Sequence, residues 1–75
     1  MTTQEDVIFR WQTAAYSRSN SALICDVKGG RLYVRRAYHG SRWFDVLWNA
    51  RHVGVGENIE EAKDLAEQLY KEGLL

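Results

Sequence analysis

One thiol, two imidazoles and a handful of carboxylates are what this chain offers to covalent chemistry. Cys25 sits inside an apolar run, Ala22-Leu23-Ile24-Cys25-Asp26-Val27. A catalytic cysteine needs a thiolate held beside an imidazole or another cation. Nothing in the spacing of His39 or His52 brings either to Cys25, so a buried, inert thiol is expected. The two histidines also lack metal-ligand spacing, and a lone cysteine builds neither a zinc site nor an internal disulfide. Asp26 and Asp45 could act as a carboxylate pair only if strand register happened to join them. No phosphate loop, nucleotide fingerprint or nucleophile motif occurs. A domain this small also leaves little room for a ligand pocket of about 300 Å³ or more. The chain reads as a non-enzyme, with no catalytic residue, no cofactor and no metal.

What remains is recognition chemistry, and it is concentrated between Gly29 and Trp48. Arg31, Tyr33, Arg35 and Trp43 fall on one face of two neighbouring strands, with Arg42 at the turn between them, and no acidic residue lies between Lys28 and Arg42. Arginines contact phosphates and aromatic rings stack on bases. The same residue types dominate protein hot spots. They can also form a solvated surface, arginine stems lying over rings with no partner at all. A second candidate surface is acidic: Glu60, Asp64 and Glu67, with Glu61 and Glu72, on the C-terminal helix. It could dock on a basic partner or be the ordinary solvated face of a helix.

Charge placement weighs between these readings. Residues 1–55 carry eight basic groups against four acidic ones, residues 56–75 two against six, and the whole chain is neutral. A strongly basic nucleic-acid binder would not be neutral, but a bipolar molecule can present one attractive face. A protein partner is therefore the first expectation and a nucleic-acid-binding module the alternative.

The elements that must position these residues follow from periodicity and turn chemistry. Val7, Phe9, Trp11 and Thr13 alternate with Ile8, Arg10 and Gln12, which suits a strand; Val7, Trp11, Ala14 and Ala15 also fit a helix, so the N-terminal element is open between the two. Ser17 to Ser21 reads as a loop. Ala22–Val27 reads as a strand, Lys28-Gly29-Gly30 as a turn, and Arg31–Tyr38 as the next strand. His39-Gly40-Ser41 is a turn, Arg42–Asn49 a strand, Asn49-Ala50-Arg51 a tight turn and His52–Val55 a short strand. Asn58 followed by Glu61 is a helix-capping pattern, with Glu60 and Glu61 at the positive end of the helix dipole. Ile59, Ala62, Leu65, Ala66, Leu69 and Tyr70 then recur at helical spacing, and Gly73 marks the stop. Leu32, Val34, Phe44, Val46 and Trp48 form the apolar sheet face that this helix can cover. The predicted fold is α+β, an antiparallel meander of three to four strands packed against one C-terminal helix, in a single domain spanning residues 1–75.

At 75 residues the core is small, burying about 60% of the unfolded surface, and nine aromatic residues partly offset that. A single cysteine favours a reducing, cytoplasmic setting. No apolar run approaches the roughly 20 residues of a membrane helix, and the polar, acidic start of the chain is unlike a secretory signal. An exposed strand edge leaves monomer and homodimer both open.

The second half resembles a pattern found in small phage and prophage proteins. Gly29, Gly30, Arg31 and Tyr33 lead one strand, Trp43 and Val46 the next; Asn49, Val53 and Gly54 make the return, and Glu61, Ala62, Lys63, Ala66 and Glu67 the closing helix. The resemblance spans about residues 24–70 and rests on turns, core and cap. It implies a small phage-type binding protein that modulates or inhibits a host or phage protein, an anti-CRISPR role being one version. The order strand-strand-strand-helix is also similar to the C-terminal part of a double-stranded-RNA-binding domain. There the last helix opens on a basic Lys-Lys-x-Ala-Lys clamp for phosphate. Here Glu60-Glu61-Ala62-Lys63 keeps only the lysine, and two carboxylates at that place repel phosphate. The likeness therefore implies the architecture and not the RNA binding.

Overall fold

The computed structural model describes residues 8–13, 22–38 and 40–75. It is α+β: an antiparallel sheet of five strands in chain order with one C-terminal helix. The strands are β1 (Gln12–Thr13), β2 (Ala22–Val27), β3 (Gly30–Arg36), β4 (Phe44–Trp48) and β5 (Arg51–Gly56), and α1 spans Ile59–Lys71. The sheet has more strands than the three to four expected. The extra one is β1, two residues that pair with Ile24 and Leu23 of β2. Of the N-terminal stretch left open between strand and helix, Gln12 and Thr13 are strand and residues 8–11 are in neither; Val7, Ala14, Ala15, the Ser17–Ser21 loop and His39 lie outside the described residues.

The turns follow from local chemistry. Val27 pairs with Gly30, so Lys28 and Gly29 alone make the β2–β3 connection, and Gly29 adopts φ +94°, a region that side chains with a Cβ avoid. The following glycine answers a different need. A Cβ on Gly30 would lie 2.6 Å from Oδ1 of Asn49 and 2.8 Å from the Trp48 ring. Asn49 itself sits at φ 59° in the β4–β5 turn, which asparagine tolerates. Its N–H donates to the Arg31 carbonyl at 2.8 Å and its Oδ1 accepts the Arg31 N–H at 3.1 Å. One turn is therefore clamped onto the start of β3.

Helix α1 is capped at both ends. Asn58 Oδ1 accepts the Glu61 N–H at 2.8 Å. The reciprocal bond departs from the capping box: the Glu61 carboxylate accepts from the N–H of Glu57 rather than from Asn58. At the other end, Leu74 N–H donates to the Leu69 carbonyl and Gly73 N–H to that of Tyr70, with Gly73 at φ +70°. This is a Schellman motif.

The core lies between the helix and one sheet face: Cys25, Leu32, Val34, Phe44, Val46, Ala62 and Ala66 are buried, with Trp11, Phe9, Trp48, Leu65 and Tyr70 packed around them. The approach of α1 to β5 is close. A Cβ on Gly56 would come within 2.5 Å of the Ala62 backbone nitrogen. Two bonds fix the other flank of the helix. The Trp11 indole N–H donates to Glu67 at 2.8 Å, and the Tyr70 hydroxyl donates to the Lys28 carbonyl at 3.0 Å. No described helix is long and apolar enough to cross a membrane.

Candidate interaction face

Alternation along the strands sends one set of side chains to the helix and the other to the uncovered face. Register then arranges the uncovered set in rows. One row runs Gln12, Ile24, Tyr33, Leu47, His52; a second runs Ala22, Arg35, Asp45, Val55. At one end Arg31 lies opposite Asp26. At the other the pairing continues past the strands, where the Ala37 N–H donates to the Trp43 carbonyl at 3.1 Å.

The expected site residues are distributed over this face unequally. Tyr33 and Arg35 stand side by side at its centre. Arg31 shares their strand face, but its Nε donates to Asp26 at 2.5 Å. That bond holds the guanidinium pKa even above its ordinary value, so Arg31 is a neutralised cation. Arg35 makes no ion pair among the described residues, although it lies directly across from Asp45. The Asp45 carboxylate turns instead to His52, 3.1 Å from Nε2. Arg42 and Trp43 lie at the rim in the β3–β4 loop, Trp43 being 46% exposed.

Buried Ser41 holds that rim in place. Its Oγ accepts the Trp43 N–H at 2.9 Å and donates to the Trp43 carbonyl, while its own carbonyl accepts from Arg36. Arg36 then lies 5.0 Å above the Phe44 ring, a cation–π contact that ties it to the scaffold.

A depression of about 250 Å³ opens between Tyr33, Arg35, Leu47, Asn49 and Ala50. Leu47 is its floor, only 8% exposed on the face that no described element covers. Alternation along β4 puts Leu47 on the outer face, where Tyr33 and His52 flank it across the ladders. Ser41, Leu47, Asn49, Ala50 and the Asp45–His52 pair are the participants that sequence reasoning missed. Ser41, Asn49 and Ala50 carried a local signal, as turn residues.

The other candidate residues fall elsewhere. Glu60 pairs with Lys63 at 3.7 Å and Asp64 is exposed, whereas Glu67 is half-buried and holds Trp11. The acidic helix face is thus narrower than its sequence implies. Cys25 is buried on the helix side, and burial raises its thiol pKa, which keeps it protonated and unreactive at neutral pH. Asp26 and Asp45 pair with Arg31 and His52, not with each other. Among the described residues no group of three His, Cys, Asp or Glu side chains is arranged to hold a metal ion. Comparison with models of protein families finds no match, and neither does comparison with curated proteins or with solved structures.

Proposed function

We propose that this is a small non-catalytic binding protein whose uncovered sheet face docks on another protein. The observation that carries the reading is the depression floored by Leu47, with the Tyr33 ring and Arg35, which makes no ion pair among the described residues, on its rim. An apolar floor beside an aromatic ring and an unneutralised guanidinium is the composition of an interface hot spot. It fits an apolar side chain of the partner with a carboxylate next to it.

Charge favours protein over nucleic acid. Asp26 and Asp45 lie on the same face as Arg31, Arg35 and His52, so the face alternates in sign and its carboxylates offset part of any attraction to phosphate. In its narrower form, supported by the resemblance to phage proteins, the partner is a host or phage complex that binding modulates or inhibits, with an anti-defence role among the possibilities.

The test is quantitative capture of partners from host and infected lysates with the wild-type chain, Arg35→Glu and Tyr33→Ala, beside gel shifts with DNA and RNA at low salt. A stoichiometric protein recovered by the wild type and lost in both variants is the expected result. A shift of nucleic acid that weakens steeply with salt, with no protein recovered, overturns the reading.

A further inference from the structure

The depression beside Leu47 is small, and its chemistry is one-sided. Its volume of about 250 Å³ falls below the roughly 300–1,000 Å³ usual for small-molecule pockets. It has the size for one apolar side chain and the polar group next to it. No acid is among its described lining residues, Tyr33, Arg35, Leu47, Asn49 and Ala50. The carboxylates of the same face are turned elsewhere. Asp26 is held by Arg31, and Asp45, directly across from Arg35, faces His52.

The polar side chains at its two ends offer donors. A guanidinium carries five N–H groups and no acceptor, and that of Arg35 makes no ion pair among the described residues. Asn49 commits its Oδ1 to the Arg31 N–H, so its side chain has the Nδ2 amide left to give. Register puts the two at opposite ends of the floor. Leu47 pairs with Tyr33, Arg35 is level with Asp45 on one side of it, and Asn49 follows two residues on at the other.

We propose that this depression takes the C-terminal residue of a partner chain, with an apolar side chain on Leu47 and the free carboxylate on the Arg35 guanidinium. The inference rests on the reading of this face as a protein-docking surface and names what docks there. Charge complementarity selects an anion, because the site has a cation and no described acid. The confined volume selects a terminus. In an extended segment, neighbouring side chains point to opposite sides, so an acid next to the inserted apolar residue faces away. An acid two positions along returns to the same side about 7 Å further on, which asks for a groove. In a C-terminal residue the apolar side chain and the carboxylate leave one Cα and enter together, and guanidinium with carboxylate is a two-bond fit.

The test is a titration of the isotope-labelled full chain, read by amide chemical shifts. The probes are acetyl-Gly-Gly-Leu with a free carboxylate, the same peptide ending in a carboxamide, and acetyl-Gly-Gly-Ser with a free carboxylate. The first is expected to shift the Tyr33, Leu47 and Asn49 amides saturably, with a Kd of about 0.1–10 mM. The other two should each bind about tenfold more weakly, one lacking the charge and the other the apolar side chain. Arg35→Gln, at an exposed position and with its fold checked by circular dichroism, should abolish the difference between acid and carboxamide. A carboxamide bound as tightly as the acid overturns the proposal and leaves the face to an internal segment. No saturable shift on this face up to about 20 mM, or a preference for the acid that survives Arg35→Gln, also overturns it. Failure of the wider reading shows separately, as the absence of a stoichiometric protein in the lysate capture.

Discussion

On the helix-covered face of the sheet, Leu32, Val34 and Val46 are fully buried, and glycines and alanines set how near the helix comes. On the other face the same strands carry Arg31 and Asp45, held by cross-strand pairs with Asp26 and His52, beside Tyr33 and Arg35. The first surface is determined by volume: every atom has a neighbour, and a missing or added methyl is felt. The second is determined by charge partners, and Arg35, beside Leu47, makes no ion pair among the described residues. Within one strand, β3, packing against the helix and cross-strand charge are thus assigned to alternate residues.

Substitutions can break this division or sharpen it. The largest effect belongs to the covered face. Leu32→Ala should cost about 2–5 kcal/mol, a large part of the total for a domain of this size, read from the urea midpoint. Gly56→Ala should cost about 1–3 kcal/mol by overpacking, because the new methyl meets helix backbone at Ala62 and not a flexible side-chain end; an unchanged melting temperature would show that the helix does not sit this close. Trp11→Phe keeps the ring but removes the donor to Glu67, and should cost about 1–2 kcal/mol. If it costs nothing, β1 is not fastened to the helix as described. The smallest stability effect belongs to the uncovered face. Arg35→Ala should change the unfolding free energy by less than about 0.5 kcal/mol while weakening partner capture; a destabilisation as large as that of Gly56→Ala would mean that Arg35 serves the fold rather than a partner.

How much of this was legible in the sequence depends on the distance between the residues involved. The Asn58–Glu61 cap, the Gly29 turn and the Gly73 stop each involve residues within a few positions of one another. Their chemistry is local, so the sequence displays it. The division of β3 into Leu32 and Val34 on one face and Arg31, Tyr33 and Arg35 on the other is equally plain, because strand alternation is fixed by backbone geometry. The exception at short range is instructive: the Glu61 carboxylate accepts from the N–H of Glu57 and not from that of Asn58, since a side chain that reaches back one turn can choose between adjacent donors.

Long-range pairing was not legible. Trp11 and Glu67 are 56 positions apart, and no pattern in either segment announces the other. A two-residue strand such as β1 has no periodicity of its own and exists because β2 offers it an edge. The partner of Asp45 was equally hidden. The register sets Arg35 directly across from it, yet the irregularity between Val46 and Leu47 brings His52 diagonally to its carboxylate, and a one-residue bulge redirects side chains without any mark in composition.

By itself the sequence determined the α+β class, the helix with its caps, the turns and the sorting of strand residues into two faces, because each rests on interactions between near neighbours. Only the tertiary structure decided which charges on that face are paired among the described residues and which is not, that Leu47 floors a depression, and that no described strand lies on the outer side of β5. Those outcomes depend on which residues meet across strands, and register is fixed only when the whole sheet and its helix close around one core.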